Sequence, residues 1–91
     1  MVREGDLIAI FNSIHRVMKA EKVLKERRLD ILLIPVPRSL ASDCGLAIRY
    51  AEADREKILA VLAEAGLLPA EIYRYSADEF VRVMDSFVAG G

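Results

Sequence analysis

Apolar positions along the chain alternate between short unbroken runs and stretches with a helical period. Leu7 to Phe11 is an unbroken apolar run containing Ile and Phe. It predicts a strand over 6–12, buried on both faces. From Ile14 the period changes. Ile14, Val17, Ala20, Glu21 and Leu24 share one helical face, and Arg16, Lys19, Glu26 and Arg27 the other. This predicts a helix over 14–28, with Asn12 or Ser13 as its N-cap. Residues 30–36 (DILLIPV) predict a second strand, ended by Pro35 and Pro37, which cannot donate to a ladder. A third strand is expected over 46–50 (LAIRY), after the loop 37–45. Ile58, Val61, Leu62 and Ala65 mark a second helix over 54–65, stopped at Gly66. Residues 71–75 (EIYRY) predict a fourth strand. Ser76-Ala-Asp-Glu79 then reads as a capping box opening a last helix, with Phe80, Val83, Met84 and Phe87 on one stripe.

The resulting order, βαββαβ plus a C-terminal helix, is that of an α+β, ferredoxin-like antiparallel sheet. A single domain is expected over 1–91, with its core over 6–75 and the helix and tail over 76–91. In that topology the third strand lies between the first two. His15, just past strand one, and the segment from Pro35 to Cys44 then share one sheet edge, where the 66–70 turn also arrives. Strands apolar on both faces need two covering layers. The two helices cover one face. The C-terminal helix is expected on the other, with a homodimer as its companion.

Composition narrows the chemistry. The 91 residues are 54% hydrophobic and 30% charged, with a net charge of -1, which suits a folded domain. There is one His (His15), one Cys (Cys44) and no Trp. That inventory excludes an internal disulfide framework and a self-sufficient Cys/His zinc site, so neither a metal nor a cofactor is expected. The run from Leu7 to Phe11 is shorter than a secretory h-region or a membrane span. A lone Cys fits a reducing compartment, so a cytoplasmic location is expected. The near-neutral charge makes no case for nucleic acid or membrane as partner.

The loop from Pro35 to Gly45 holds the least ordinary chemistry. Pro37 restricts Val36 to an extended conformation. Ser39 or Ser42 could cap a helical turn and aim backbone N–H groups outward. Gly45 lets another backbone or a ligand approach. Arg38, His15 and such N–H groups would favour a Cys44 thiolate, whereas Asp43 opposes it. Two readings of Cys44 stand side by side: a reactive loop thiol, and a small buried hydrophobe. His15 is either a partner of that thiol or a solvated residue of a first helical turn. Arg38 either serves the thiol or holds the loop through carbonyls. Glu21 falls on the buried stripe of the first helix, where a carboxylate is costly unless paired. It snorkels, pairs with an arginine, or bonds to the 37–45 loop.

Other motifs fall away. Cys44 to Arg49 is C-x4-R, one residue short of the cysteine-phosphatase spacing. No C-x-x-C, H-E-x-x-H, G-x-S-x-G or P-loop occurs. The third strand lacks the stacking aromatics of RNA-recognition domains. Arg16, Lys19 and Lys22, with Lys25, Arg27 and Arg28, give the first helix a basic outer surface. It is either solvated or a docking site for an acidic protein partner.

At Ser13-x-His15, Ala20-Glu21, Ile34-Pro-Val-Pro-Arg38 and Ser42-Asp-Cys-Gly45 the chain resembles the selenium/sulfur (Se/S) carrier protein-like family. The resemblance covers roughly residues 6–75. It implies a small cytoplasmic protein whose Cys44 holds sulfur or selenium as a persulfide or perselenide. The implied donor is a cysteine-desulfurase-like or selenium-handling enzyme. In that reading Cys44 is the acceptor, supported by His15 and Arg38, with Ser13, Ser42, Asp43, Gly45 and Glu21 around it. Arg16, Lys19 and Lys22 would dock the partner. The alternative is a non-enzymatic regulatory or adaptor module that binds a small ligand or protein at its sheet edge. A thiol enzyme with a Cys44–His15 pair ranks last, so carrier or adaptor is expected rather than a turnover enzyme.

Overall fold

The strands that the apolar runs predict pair into one sheet. The structure, a computed structural model, describes residues 2–40 and 45–83. Its elements are β1 (Leu7–Ile10), α1 (Ile14–Glu26), β2 (Ile31–Pro35), β3 (Leu46–Tyr50), a 3₁₀ turn (Glu52–Asp54), α2 (Arg55–Glu64), β4 (Glu71–Ser76) and β5 (Glu79–Arg82). The sheet has five strands in the order β2-β3-β1-β4-β5, and every neighbouring pair is antiparallel. β3 therefore lies between β1 and β2, with Ile10 beside Ala47 and Ala47 beside Ile34. This is an α+β fold with two helices.

The period of two in a strand sends successive side chains of β1 to opposite faces. Leu7, Ala9 and Phe11 join Val17, Ala20 and Leu24 of α1 and Ile58, Val61 and Leu62 of α2 in the larger core. Ile8 and Ile10 join Ile34 and Ala47 in a second cluster on the other face. Leu7, Ile8, Leu24 and Ile48 are all fully buried. Each such side chain contributes about 1.5–3 kcal/mol of transfer free energy. The second face is covered, among the described residues, by Val2, Val36, Leu40, Tyr73 and Phe80. The C-terminal helix expected there is absent from residues 76–83, and residues 84–91 lie outside the described residues.

Residues 79–82 form a strand where the capping box predicts a helix. Ala77 and Asp78 both take left-handed φ values, 52° and 63°. These make a two-residue hairpin turn, which a helix start cannot share. The competing gain is the ladder offered by β4. Tyr75 lies opposite Phe80, their ring centroids 4.9 Å apart, and the Ala77 amide donates to the Glu4 carboxylate at 3.1 Å. Tertiary pairing overrides the local helix signal.

Both helices end alike. In α2 the Leu67 amide donates to the Leu62 carbonyl at 2.8 Å, with Gly66 at φ +69°. In α1 the Leu29 amide donates to the Leu24 carbonyl at 3.1 Å, but the left-handed residue is Arg28, at φ +60°. Each is a Schellman ending, and only α2 carries the glycine that the motif prefers.

Candidate functional site

The far end of β1 gathers two connections besides its own link to α1. The Val36 amide donates to the Gly45 carbonyl at 3.0 Å, which closes the base of the β2–β3 loop. The Ala70 amide donates to the Ile10 carbonyl at 2.8 Å, which brings the 66–70 turn to the same end. Gly45 adopts φ +81°, and a Cβ built there would meet nothing within 4 Å. Glycine is therefore needed at this position for its backbone conformation rather than for space. It immediately follows Cys44 in sequence, and Cys44, Ser42 and Asp43 lie outside the described residues.

The other expected site residues sort by element. Ser13, rather than Asn12, is the N-cap of α1, its hydroxyl accepting from the Arg16 amide at 3.1 Å. His15 stands in the first turn of α1, exposed, on the helix side of the sheet. Arg38 is exposed, and Glu21 is half-buried at the margin of the stripe. Among the described residues neither has a side-chain hydrogen bond or ion pair. The loop itself turns through a Leu40 amide to Pro37 carbonyl bond of 2.9 Å. It lays Leu40 onto the second face with Ile8, Ile10 and Phe80. The described first half of the loop thus covers the face opposite α1, while its two ends stay at the edge that β1 shares.

The basic surface of α1 divides. Arg16 reaches across to donate to the Gly66 carbonyl at 2.9 Å, tying α1 to the end of α2. Arg27 approaches Glu64 of α2 at 3.3 Å. Lys19 and Lys22 stand exposed. Among the described residues no group of three or more His, Cys, Asp or Glu side chains is placed to hold a metal. No helix among them is long and apolar enough to cross a membrane.

One polar pairing escaped the sequence reading. Asp6 is buried, its Oδ2 accepting from Arg49 at 3.2 Å and from the Arg3 amide at 2.8 Å. The available signal was an arginine inside the apolar strand Leu46–Tyr50. Three phenols are shifted upward. Burial holds Tyr50 well above its usual range. Partial burial and donation to Glu71 raise Tyr73, and donation to Asp78 raises Tyr75.

The fold is that of a small α+β domain, with Lys19 and Lys22 exposed on its first helix. A family model described as "Putative Se/S carrier protein-like" matches residues 6–74, most of the chain. The chain belongs to that family. No characterised protein and no solved structure matches it significantly.

Proposed function

We propose that this protein is a sulfur or selenium carrier with Cys44 as its acceptor. The observation that carries the reading is the family match over residues 6–74, which contains the chain's only cysteine. In the transfer, the Cys44 thiolate attacks the terminal sulfur of a donor persulfide, R–S–SH. The S–S bond of the donor breaks, Cys44–S–SH forms, and R–S⁻ leaves with the electron pair. Perselenide loading follows the same balance. Arg38 and His15 stabilise the anion, and Ser13, Ser42, Asp43, Gly45 and Glu21 shape its surroundings. A cysteine-desulfurase-like or selenium-handling enzyme is the donor, in the cytoplasm. The exposed Lys19 and Lys22 support a docking role for the outer face of α1 toward an acidic partner surface. The strand order β2-β3-β1-β4 is what supports a ferredoxin-like core.

The test is mass spectrometry after incubation with a cysteine desulfurase and ³⁴S-labelled cysteine. The expected result is one labelled sulfur on Cys44, absent from Cys44→Ser. An unlabelled Cys44, together with alkylation kinetics of an ordinary thiol near pH 8.5, would remove the reading.

A further inference from the structure

We propose that β2 is a dimer edge, pairing antiparallel with the β2 of a second copy about a two-fold axis at Leu33. The proposal stands independently of the carrier reading. The bond from the Val36 amide to the Gly45 carbonyl fixes the phase of the β2–β3 ladder. With Ile34 beside Ala47 and Leu32 beside Arg49, these positions bond to β3. The N–H and C=O groups of Ile31 and Leu33 therefore point away from the sheet. Among the described residues these groups have no backbone partner. Ile31–Pro35 carries no charge and no bulge, and Pro35 is its one edge-blunting residue. By contrast, β5 at the other edge carries Glu79 and Arg82.

The side chains agree. Four large hydrophobic residues are exposed among the described residues: Ile14 (49%), Met18 (44%), Leu32 (40%) and Val81 (51%). The first three border this one edge, Ile14 and Met18 on the helix face and Leu32 on the opposite face. Arg16 and Arg27 reach residues at the end of α2, so that flank of α1 faces α2. At 100° per residue, Ile14 and Met18 lie about half a turn away, on the flank beyond β2. α1 packs on both β2 and β3. A two-fold axis at Leu33 then sets the two α1 helices side by side at about 10 Å, an ordinary helix-pair spacing.

A second copy fits this edge through its register. Leu33 pairs with the other copy's Leu33, and Leu32 lies beside the other copy's Ile34. The Ile31 amide meets the other copy's Pro35 carbonyl, and Pro35 buries no unpaired N–H because it has none. The exposed Asp30 comes diagonal to the exposed Arg38 of the other copy, twice over by symmetry. Neither has an ion-pair partner among the described residues.

Sedimentation velocity under reducing conditions tests this, over a wide concentration range. The expected result is a dimer that Met18→Lys and Leu32→Lys each weaken about tenfold or more. Val81→Lys, at the opposite edge, should leave it intact. Both test positions are exposed in the single chain, so circular dichroism should report an unchanged fold. Hydrogen exchange gives a second readout, with the Ile31 and Leu33 amides protected in the dimer and released in the variants. A wild type that stays monomeric would overturn the proposal and leave the edge to a different strand. So would a dimer indifferent to both lysines, or one whose Ile31 and Leu33 amides exchange freely.

Discussion

The Asp6 carboxylate and the Arg49 guanidinium meet at 3.2 Å on the sheet face away from the helices, their side chains only 10% and 17% exposed. The same carboxylate oxygen accepts the Arg3 amide. The Arg49 Nε is buried without a partner among the described residues. Removing one partner leaves a charge with little water to replace it. Asp6→Ala should destabilise the fold by about 2–3 kcal/mol in urea denaturation. The double change Asp6→Leu/Arg49→Met should recover most of that, because neither charge then needs solvation. A loss below about 0.5 kcal/mol for Asp6→Ala would mark the pair as no better than a surface bridge.

The two helix endings make an internal comparison. Arg28→Gly relieves a left-handed non-glycine residue and should stabilise by up to about 1 kcal/mol. Gly66→Ala imposes the same strain on α2 and should cost about as much. Thermal unfolding reads both, and shifts of the same sign would contradict the shared geometry.

The β4–β5 turn uses Ala77 and Asp78 where a two-residue turn of this hand favours Asn-Gly. Ala77→Asn/Asp78→Gly should raise stability by about 1 kcal/mol while keeping residues 79–82 in the sheet. Amide exchange distinguishes that strand from the helix its capping box suggests: Val81 and Val83 stand at bonded positions of the β4–β5 ladder and should be protected, whereas the Phe80 and Arg82 amides point away from it and should exchange freely. Protected Phe80 and Arg82 amides, or a freely exchanging Val81 amide, would refute the hairpin.

Tyr50 governs the alkaline limb. Burial raises its folded pKa, so above about pH 10 the unfolded chain releases a proton that the folded chain keeps. Its contribution is complete below that pH and is lost as pH rises toward the folded value. Stability should therefore fall above pH 10. Tyr50→Phe should flatten that fall at little cost near neutrality, since the hydroxyl has no partner among the described residues. An unchanged alkaline slope would assign the effect elsewhere.

On the carrier reading, Lys19→Glu/Lys22→Glu should slow sulfur loading from the donor about tenfold at low salt. The difference should shrink at high salt as the charges are screened. Arg16→Gln should instead lower stability, because Arg16 holds the Gly66 carbonyl. Loading rates insensitive to the lysines at every ionic strength would remove the docking face.

Much of this fold was legible because burial leaves a period. The run from Leu7 to Phe11 and the stripe Val17, Ala20 and Leu24 announce their elements through apolar spacing alone. The third strand over Leu46–Tyr50 was read to the residue. The edge shared by the ends of β1 and β2, the start of β3 and the 66–70 turn follows from strand order, and the ladder and the Ala70–Ile10 bond bear it out. The single His, the single Cys and the glycine after it are visible as residue types. What the Cys44 side chain touches is set by three-dimensional placement, which composition does not encode.

By itself, then, the sequence determined the first four strands, the two helices and the address of the loop, because each depends on local period and chain order. Only the tertiary structure decided the last element, the face on which Leu40 lies, the pairing of Asp6 with Arg49 and the reach of Arg16 to the Gly66 carbonyl. In each of these the decisive partner is distant in the chain, such as β4 for residues 79–82 or Gly66 for Arg16. Local propensity carries no information about a hydrogen bond or a buried contact that exists only once the sheet has closed.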